Sequence, residues 1–345
     1  MYKLLFIGDL NEGTRSFMRV KKLEILVKTV VKVSNTKVPF IAGIDKPSLI
    51  YRIFHKLGIP LDTENVNSKV VKLVDSNTFD IVWIEKSIML KPSTLRYIRQ
   101  KNSLAKIISV SEDDMYATHN RSIYYDNSLA VYDIVFSTKI YNLSELKTLG
   151  AQSTELFLDS FDEDLHTPLI KYSDIKNKKY DVCFVGTYEK ERALSMVWLS
   201  SMGIIVTVFG NGWNELKNKY PNLIIKDKPV YGEKYVEIIN SSKINLGFLR
   251  KINRDQVTSR TMEIVACESL LIAERTSRHN ELFNEGKEAE FFSTNEELYE
   301  KIQHYLKHDY LISDISKSGR RRCFQSGYDM ANQLSLILSK TMSSN

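Results

Sequence analysis

"YDVCFVGTYEKER", residues 180–192, decides what kind of fold the chain builds. Tyr180 leads into a short apolar run, the run stops at Gly186, and Arg192 stands where a helical period begins. A strand, a glycine turn and a helix is how a parallel α/β layer starts, because glycine lets the backbone turn tightly and the helix packs back on the sheet. The amino terminus begins in the same way: "YKLLFIGDLNEGTR", residues 2–15, runs from Tyr2 through Phe6 to Gly8 and reaches Arg15. The chain therefore holds two starts of one kind of unit.

Outward from these starts, further strand candidates alternate with helical or polar stretches. In the first half they are "KVPFIAG", "DIVWIEK", "AKIISVS" and "YDIVFSTK"; in the second, "IIVTVFG", "NLIIKD", "KINLGFL", "LLIAE" and "AEFFST". Alternation of this kind predicts α/β architecture: two Rossmann-like, doubly wound parallel-sheet domains facing a central cleft. The irregular stretch 158–180, with Pro168 and a lysine cluster, marks the boundary. The expected domains are 1–165 and 180–322, joined by a linker at 166–179 and followed by a terminal helix and tail at 323–345.

With 345 residues and 43% apolar content, each half can form a core. Cys183, Cys267 and Cys323 show no CxxC spacing and read as buried thiols of a reducing compartment, which argues against a disulfide framework or a zinc site. The apolar run before Gly8 is too short for a secretory signal, and no stretch is long enough to cross a bilayer, so the expected location is cytoplasmic, with peripheral membrane attachment left open. A net charge of +6 favours anionic partners: a phosphorylated small molecule, nucleic acid or an acidic membrane face. The short runs "KNKK" (176–179) and "GRRR" (319–322) lack the interleaved aromatics that single strands require, so nucleic acid is not favoured.

The chemistry concentrates in "LGFLRKINRDQVTSRTMEIVACES", residues 246–269. A strand ends, a loop carries Arg250, Lys251 and Arg254, and a helix begins near Thr258 or Ser259, either of which can cap it, with Arg260 in its first turn. Unpaired N–H groups, a partial positive charge and clustered cations suit a diphosphate. Met262, Val265, Ala266 and Ser269 form the expected apolar face. Glu263, further in, suits the vicinal hydroxyls of a ribose; Asp255, eight positions earlier, would lie beyond the diphosphate. On spacing alone, an Arg260–Glu263 surface ion pair with Asp255 as a helix cap stands evenly beside that reading. His279 reads as structural and Trp213 as a core anchor.

These stretches, with "VFGNGW", "YGEKYVEIINSS", "SEDDMYATHN" and "ELFNEGKEAEFFSTNEELYEKIQHYL", resemble the CgeB-like (spore-maturation type) glycosyltransferases of the group 1 superfamily, strongly over about 180–325 and more weakly before. The resemblance implies a GT-B fold and a hexosyltransferase-like activity that moves a sugar from a nucleoside diphosphate sugar, a UDP-sugar above all, to an acceptor hydroxyl of a glycan, glycolipid or protein. It implies no required cofactor or metal, cations and a helix end offsetting the diphosphate charge. Retaining members carry Glu, seven residues, then a second Glu. The second falls on Glu263, implied to bind the ribose; the first falls on Asp255, a departure at the donor sugar. Gly186, Thr187 and Arg192 are implied to face the diphosphate, and the base to lie against "KPVYG" near Tyr231.

In the first half, Asp113, Asp114 and His119 follow the strand "AKIISVS". Two adjacent carboxylates and one histidine do not make a metal site. His119 is the candidate polar contact to donor sugar or acceptor, and Asp114 the candidate base or acceptor ligand; the competing reading makes Asp113 a helix cap and His119 an ordinary loop residue. The turn with Gly8, Gly13 and Arg15 could approach the sugar closely. Rival functions are glucosylation of modified DNA bases, a non-catalytic nucleotide-sugar binder, and a nucleotide-sugar epimerase.

Overall fold

The computed structural model describes residues 2–40, 45, 47–226 and 228–343. The chain divides into two units, 1–158 together with 330–345, and 159–329. Each is built on a six-stranded sheet in which every pairing is parallel.

In the first unit the strands are β1 (Lys3–Gly8), β2 (Thr29–Ser34), β3 (Ile81–Glu85), β4 (Lys106–Ser111), β5 (Ile134–Ser137) and β6 (Thr154–Leu156), in the spatial order β2-β1-β3-β4-β5-β6. Side chains alternate along each strand, so Leu5, Ile7, Val82 and Ile107 enter one core layer while Leu4, Phe6, Trp83 and Ile108 enter the other. Both faces are covered, which is why the central strands read as unbroken apolar runs.

Three features depart from the sequence expectation. The second strand is "TVVKVS", not "KVPFIAG": residues 37–40 form no strand, and 41–43 lie outside the described residues. As an edge strand, β2 buries only Val33 fully, so its apolar signal is weak. The helix Met330–Ser343 returns to the first unit, where Met330, Leu334, Ile337 and Leu338 complete the layer containing Leu4 and Phe6. Residues 166–179, expected as a linker, lie within the second unit and hold two short 3-10 turns. Asn240 takes the Leu169 N–H (2.8 Å) and donates to Thr167 O (3.1 Å), which fixes that stretch against the helix Gly232–Asn240.

The second unit contains β7 (Tyr180–Val185), β8 (Val206–Phe209), β9 (Leu223–Ile225), β10 (Ser242–Gly247), β11 (Leu270–Glu274) and β12 (Glu290–Phe292), ordered β12-β11-β10-β7-β8-β9. From β7 the chain winds outward through β8 and β9, then returns to β10 and winds the other way. Strand order thus reverses between β7 and β10, and an open parallel sheet leaves a crevice beyond the carboxyl ends of such a pair. The two quoted stretches, 180–192 and 246–269, leave these two strands.

Candidate functional site

The turn after β7 is held by the turn after β8. Gly186 N–H donates to Phe209 O (2.8 Å), Tyr188 N–H to Asn211 O (2.9 Å), and the fully buried Trp213 indole to Gly186 O (2.8 Å). Gly210 has φ +146°, and a Cβ there would stand 2.0 Å from Gly186 O, so only glycine permits this approach. Trp213 is the core anchor expected of it.

Arg192, one turn into the helix Lys190–Ser201, points back at this turn. Its guanidinium donates to Thr187 O (3.3 Å), Leu249 O (3.3 Å) and Glu189 (3.0 Å), lies 5.5 Å from the Phe184 ring centroid, and leaves Nε buried without a hydrogen-bond partner among the described residues. Burial lowers its pKa, opposed by Glu189 and reinforced by Arg260 and Arg250. Arg192 therefore ties the β7 turn to the β10 loop, and three guanidinium groups share one neighbourhood.

Two acids that the sequence reading did not single out organise that loop. Glu189 bridges Arg192 and Arg250 (2.9 Å). Glu274, at the end of β11, accepts the Leu249 N–H (2.5 Å) and pairs with Lys251 (3.0 Å). Arg254, exposed, sits in the left-handed region (φ 48°) and lets the chain turn into 255–258. Asp255 is half-buried; its N–H donates to Arg250 O (3.2 Å), and its Oδ1 accepts from Asn253 (2.9 Å).

The helix that follows is Ser259–Ala266, shorter than expected: Cys267 ends it, so Ser269 lies beyond it. Thr258 occupies the N-cap position, yet its side chain makes no capping hydrogen bond, and neither it nor Ser259 fills the expected capping role. Arg260, half-buried in the first turn, makes no ion pair or side-chain hydrogen bond among the described residues. Glu263 is only 7% exposed, which removes the surface-pair reading. Across from it stands Tyr235 of the helix Gly232–Asn240, whose hydroxyl is pushed well above its usual pKa by burial and by the Glu263 carboxylate. Tyr231, the N-cap of that helix, is exposed one turn earlier. Gly186, Thr187, Arg192, Arg250, Arg260, Glu263 and Tyr235 thus form one connected neighbourhood.

His279 supports this region from behind. Fully buried and stacked on Phe291, it donates Nδ1–H to Glu274 O (2.7 Å) and accepts from the Thr261 hydroxyl at Nε2 (3.0 Å), the neutral tautomer. Burial depresses its pKa to about 4 from 6.5. Between those values the unfolded chain binds the proton and the folded chain does not, so stability falls as pH drops through that window. The linkage is worth about 3 kcal/mol. Urea unfolding at pH 7 and pH 4 is expected to show this loss in the native protein, and a His279→Gln variant, less stable at pH 7, is expected to lose about that much less.

The first unit carries the other candidates. Asp114 is fully buried, and its Oδ1 accepts from Asn142 (2.8 Å) and from the N–H groups of Tyr116 and Ala117 (3.2 and 3.3 Å). This is the geometry of a carboxylate that organises its loop rather than of an open base. His119, on that loop, is exposed. Arg15 is not open to a sugar: it pairs with Glu112 (3.0 Å), which also takes Arg19 (2.5 Å), while Arg19 grips Glu85 (2.6 Å). Against the upward push of burial, Arg15 and Arg19 hold the Glu112 carboxyl near 2. All three cysteines are buried and free. Among the described residues no group of three or more His, Cys, Asp or Glu side chains is placed to hold a metal ion, and no helix is long and apolar enough to cross a membrane.

Residues 191–339 match the model of the glycosyl transferase-like family. The whole chain is similar in fold to sucrose-phosphate synthase from Thermosynechococcus elongatus (TM-score 0.67, 12% identity, 100% of both chains covered). It is similar to Anabaena HepE in complex with UDP and glucose (TM-score 0.64, 11% identity, 99% of this chain and 100% of that one). It is also similar to an α-glucosyltransferase in complex with UDP and a 13-mer DNA (TM-score 0.65, 12% identity, 99% of each). A comparison with curated proteins gives no match. The fold is GT-B. Residues 191–339 thus resemble the glycosyl transferase-like family, on a chain whose fold is that of these glycosyltransferase structures.

Proposed function

We propose that the protein moves a sugar from a UDP-sugar to an acceptor hydroxyl, with the donor held in the second unit beyond the carboxyl ends of β7 and β10. The observation that carries this is a half-buried Arg260 in the first turn of a helix, without an ion-pair partner among the described residues, together with a buried Glu263 one turn deeper. Neighbouring proteins of this fold bind UDP with glucose or UDP-glucose.

In this reading the diphosphate lies at the start of Ser259–Ala266, against Arg260 and the Gly186–Thr187 turn. Lys251 and Arg254 stand at the outer rim, and Glu263 accepts both ribose hydroxyls. Tyr231 is the contact for the base. Arg192 holds the turn in place. As the bond from the anomeric carbon to the diphosphate breaks, negative charge grows on the leaving phosphate, and preorganised donors stabilise it. That charge balance needs no metal. Asp255 lies on the sugar side, and His119 in the first unit is the acceptor-side group, on a loop that Asp114 organises.

The finer assignment, to a retaining enzyme of the CgeB-like subgroup acting on a glycan, glycolipid or protein, is supported by the motifs "YDVCFVGTYEKER" and "SRTMEIVACES". A DNA acceptor is less well supported by this chain's basic run: Arg320 and Arg322 spend their guanidiniums on the carbonyls of Ala266 and Leu282. The test is a melting-temperature panel of nucleoside diphosphates and their sugars in EDTA. UDP and a UDP-sugar at about 100 times their Kd are expected to stabilise the protein by about 2.7 kcal/mol. No shift with any member of the panel at millimolar concentration overturns the proposal.

A further inference from the structure

The helix Leu49–Lys56 turns an apolar arc to solvent. At 100° per residue, Leu49, Ile50, Ile53, Phe54 and the C-cap Leu57 fill one arc of about 140°, and Tyr51, Arg52, His55 and Lys56 fill the opposite one. A helix on a water-soluble domain turns such an apolar arc to the core. This helix buries none of its residues: Leu49 is 70% exposed, Ile50 62% and Leu57 66%, and Ile53 and Phe54 are exposed as well. Its polar side is open as well: Arg52, His55 and Lys56 are exposed and, with Leu57, Thr118 and His119, line a cavity of about 730 Å³.

The helix is capped at its start and tied to the unit after its end. Ser48 caps its start, accepting the Tyr51 N–H (3.1 Å), and after its end Gly58 O accepts the N–H of Ile123 (2.9 Å). Ile123 is itself exposed and extends the apolar surface. The helix carries no acidic residue, and Arg52 and Lys56 fall at the border where the polar arc meets Leu49.

We propose that this helix docks the protein on an anionic lipid bilayer, with Leu49, Ile50, Ile53, Phe54 and Leu57 entering the acyl boundary and Arg52 and Lys56 at headgroup level. Apolar side chains bordered by cations match the layered chemistry of such a surface. A second copy of the chain would bring two sets of like charges together, and nucleic acid would leave the apolar arc in water. The inference is independent of the donor site, because lipid binding needs no substrate.

The test is co-sedimentation of the full-length protein with vesicles of phosphatidylcholine alone or with roughly a third phosphatidylglycerol, at low and high salt. The expected result is binding to the anionic vesicles that weakens with salt. An Ile50→Glu, Phe54→Glu double variant is expected to bind at least about 10-fold less at an unchanged melting temperature, since neither side chain is buried. An Arg52→Glu, Lys56→Glu variant is expected to lose the preference for phosphatidylglycerol. Equal pelleting with and without vesicles overturns the proposal, as does a folded Ile50→Glu, Phe54→Glu variant that binds like the native protein. Light scattering that shows a native dimer made monomeric by that variant, without lipid binding, overturns it in favour of a self-interface.

Discussion

Replacing Glu263 by alanine is expected to weaken UDP binding about 100-fold while leaving the melting temperature within a few degrees of the native value. The affinity figure follows from two hydrogen bonds between a carboxylate and a vicinal diol, worth together about 3 kcal/mol. The stability expectation follows from the local environment. Glu263 is a buried acid beside the Tyr235 hydroxyl, whose pKa it raises together with burial. Removing that charge relieves the cost of its desolvation and gives up its local contacts, and the two effects offset each other. A purely structural Glu263 would give the opposite pattern: a lower melting temperature and unchanged nucleotide affinity. Titration calorimetry with UDP and a thermal scan of the same preparation separate the two.

Arg260→Ala is expected to lower kcat by about 100- to 1000-fold, the range for removing one preorganised donor to developing negative charge. The argument is electrostatic. Arg250 is neutralised by Glu189 and Lys251 by Glu274, and Arg192 spends its donors on Glu189 and two backbone carbonyls. Arg260 has no such partner among the described residues, although Arg192 stands close enough to feel its charge. A half-buried cation next to like charges is unfavourable until an anion arrives. The variant is therefore expected to be at least as stable as the native protein without nucleotide. It is also expected to gain less stability from UDP. Steady-state transfer or donor hydrolysis, compared with Lys190→Ala on the exposed start of the neighbouring helix, reads the effect.

Much of the architecture is legible in local pattern. β7 and β10 are central strands: Val182–Val185 is an apolar run that stops at Gly186, and Ile244 and Leu246 lead through Gly247 to the basic loop from Arg250, so both loops that build the site could be located from residue order. Edge strands are not legible in this way: β2, half in solvent, follows the first helix without a clear break, and β6 has three residues. The role of Arg192 was legible only as a charge near a turn. Its bond to Leu249 O spans 57 positions, and no periodicity reports on a contact of that range. The same holds for Glu274 on Leu249 and Lys251, although its place at the end of a strand next to β10 was a usable signal. Glu189, three residues before Arg192, could have been read as its helical partner. Asp114 misled because adjacent acids after a strand resemble a catalytic pair, whereas a buried carboxylate serving two backbone N–H groups shapes a loop.

The most direct measurement is a binding cycle: UDP and 2′,3′-dideoxy-UDP, each titrated into the native protein and into Glu263→Gln. If Glu263 grips the pentose, deleting the two hydroxyls costs the native protein about 100-fold in affinity and costs the variant almost nothing. The same loss in both proteins, or no loss in the native one, would contradict the donor site described for Ser259–Ala266.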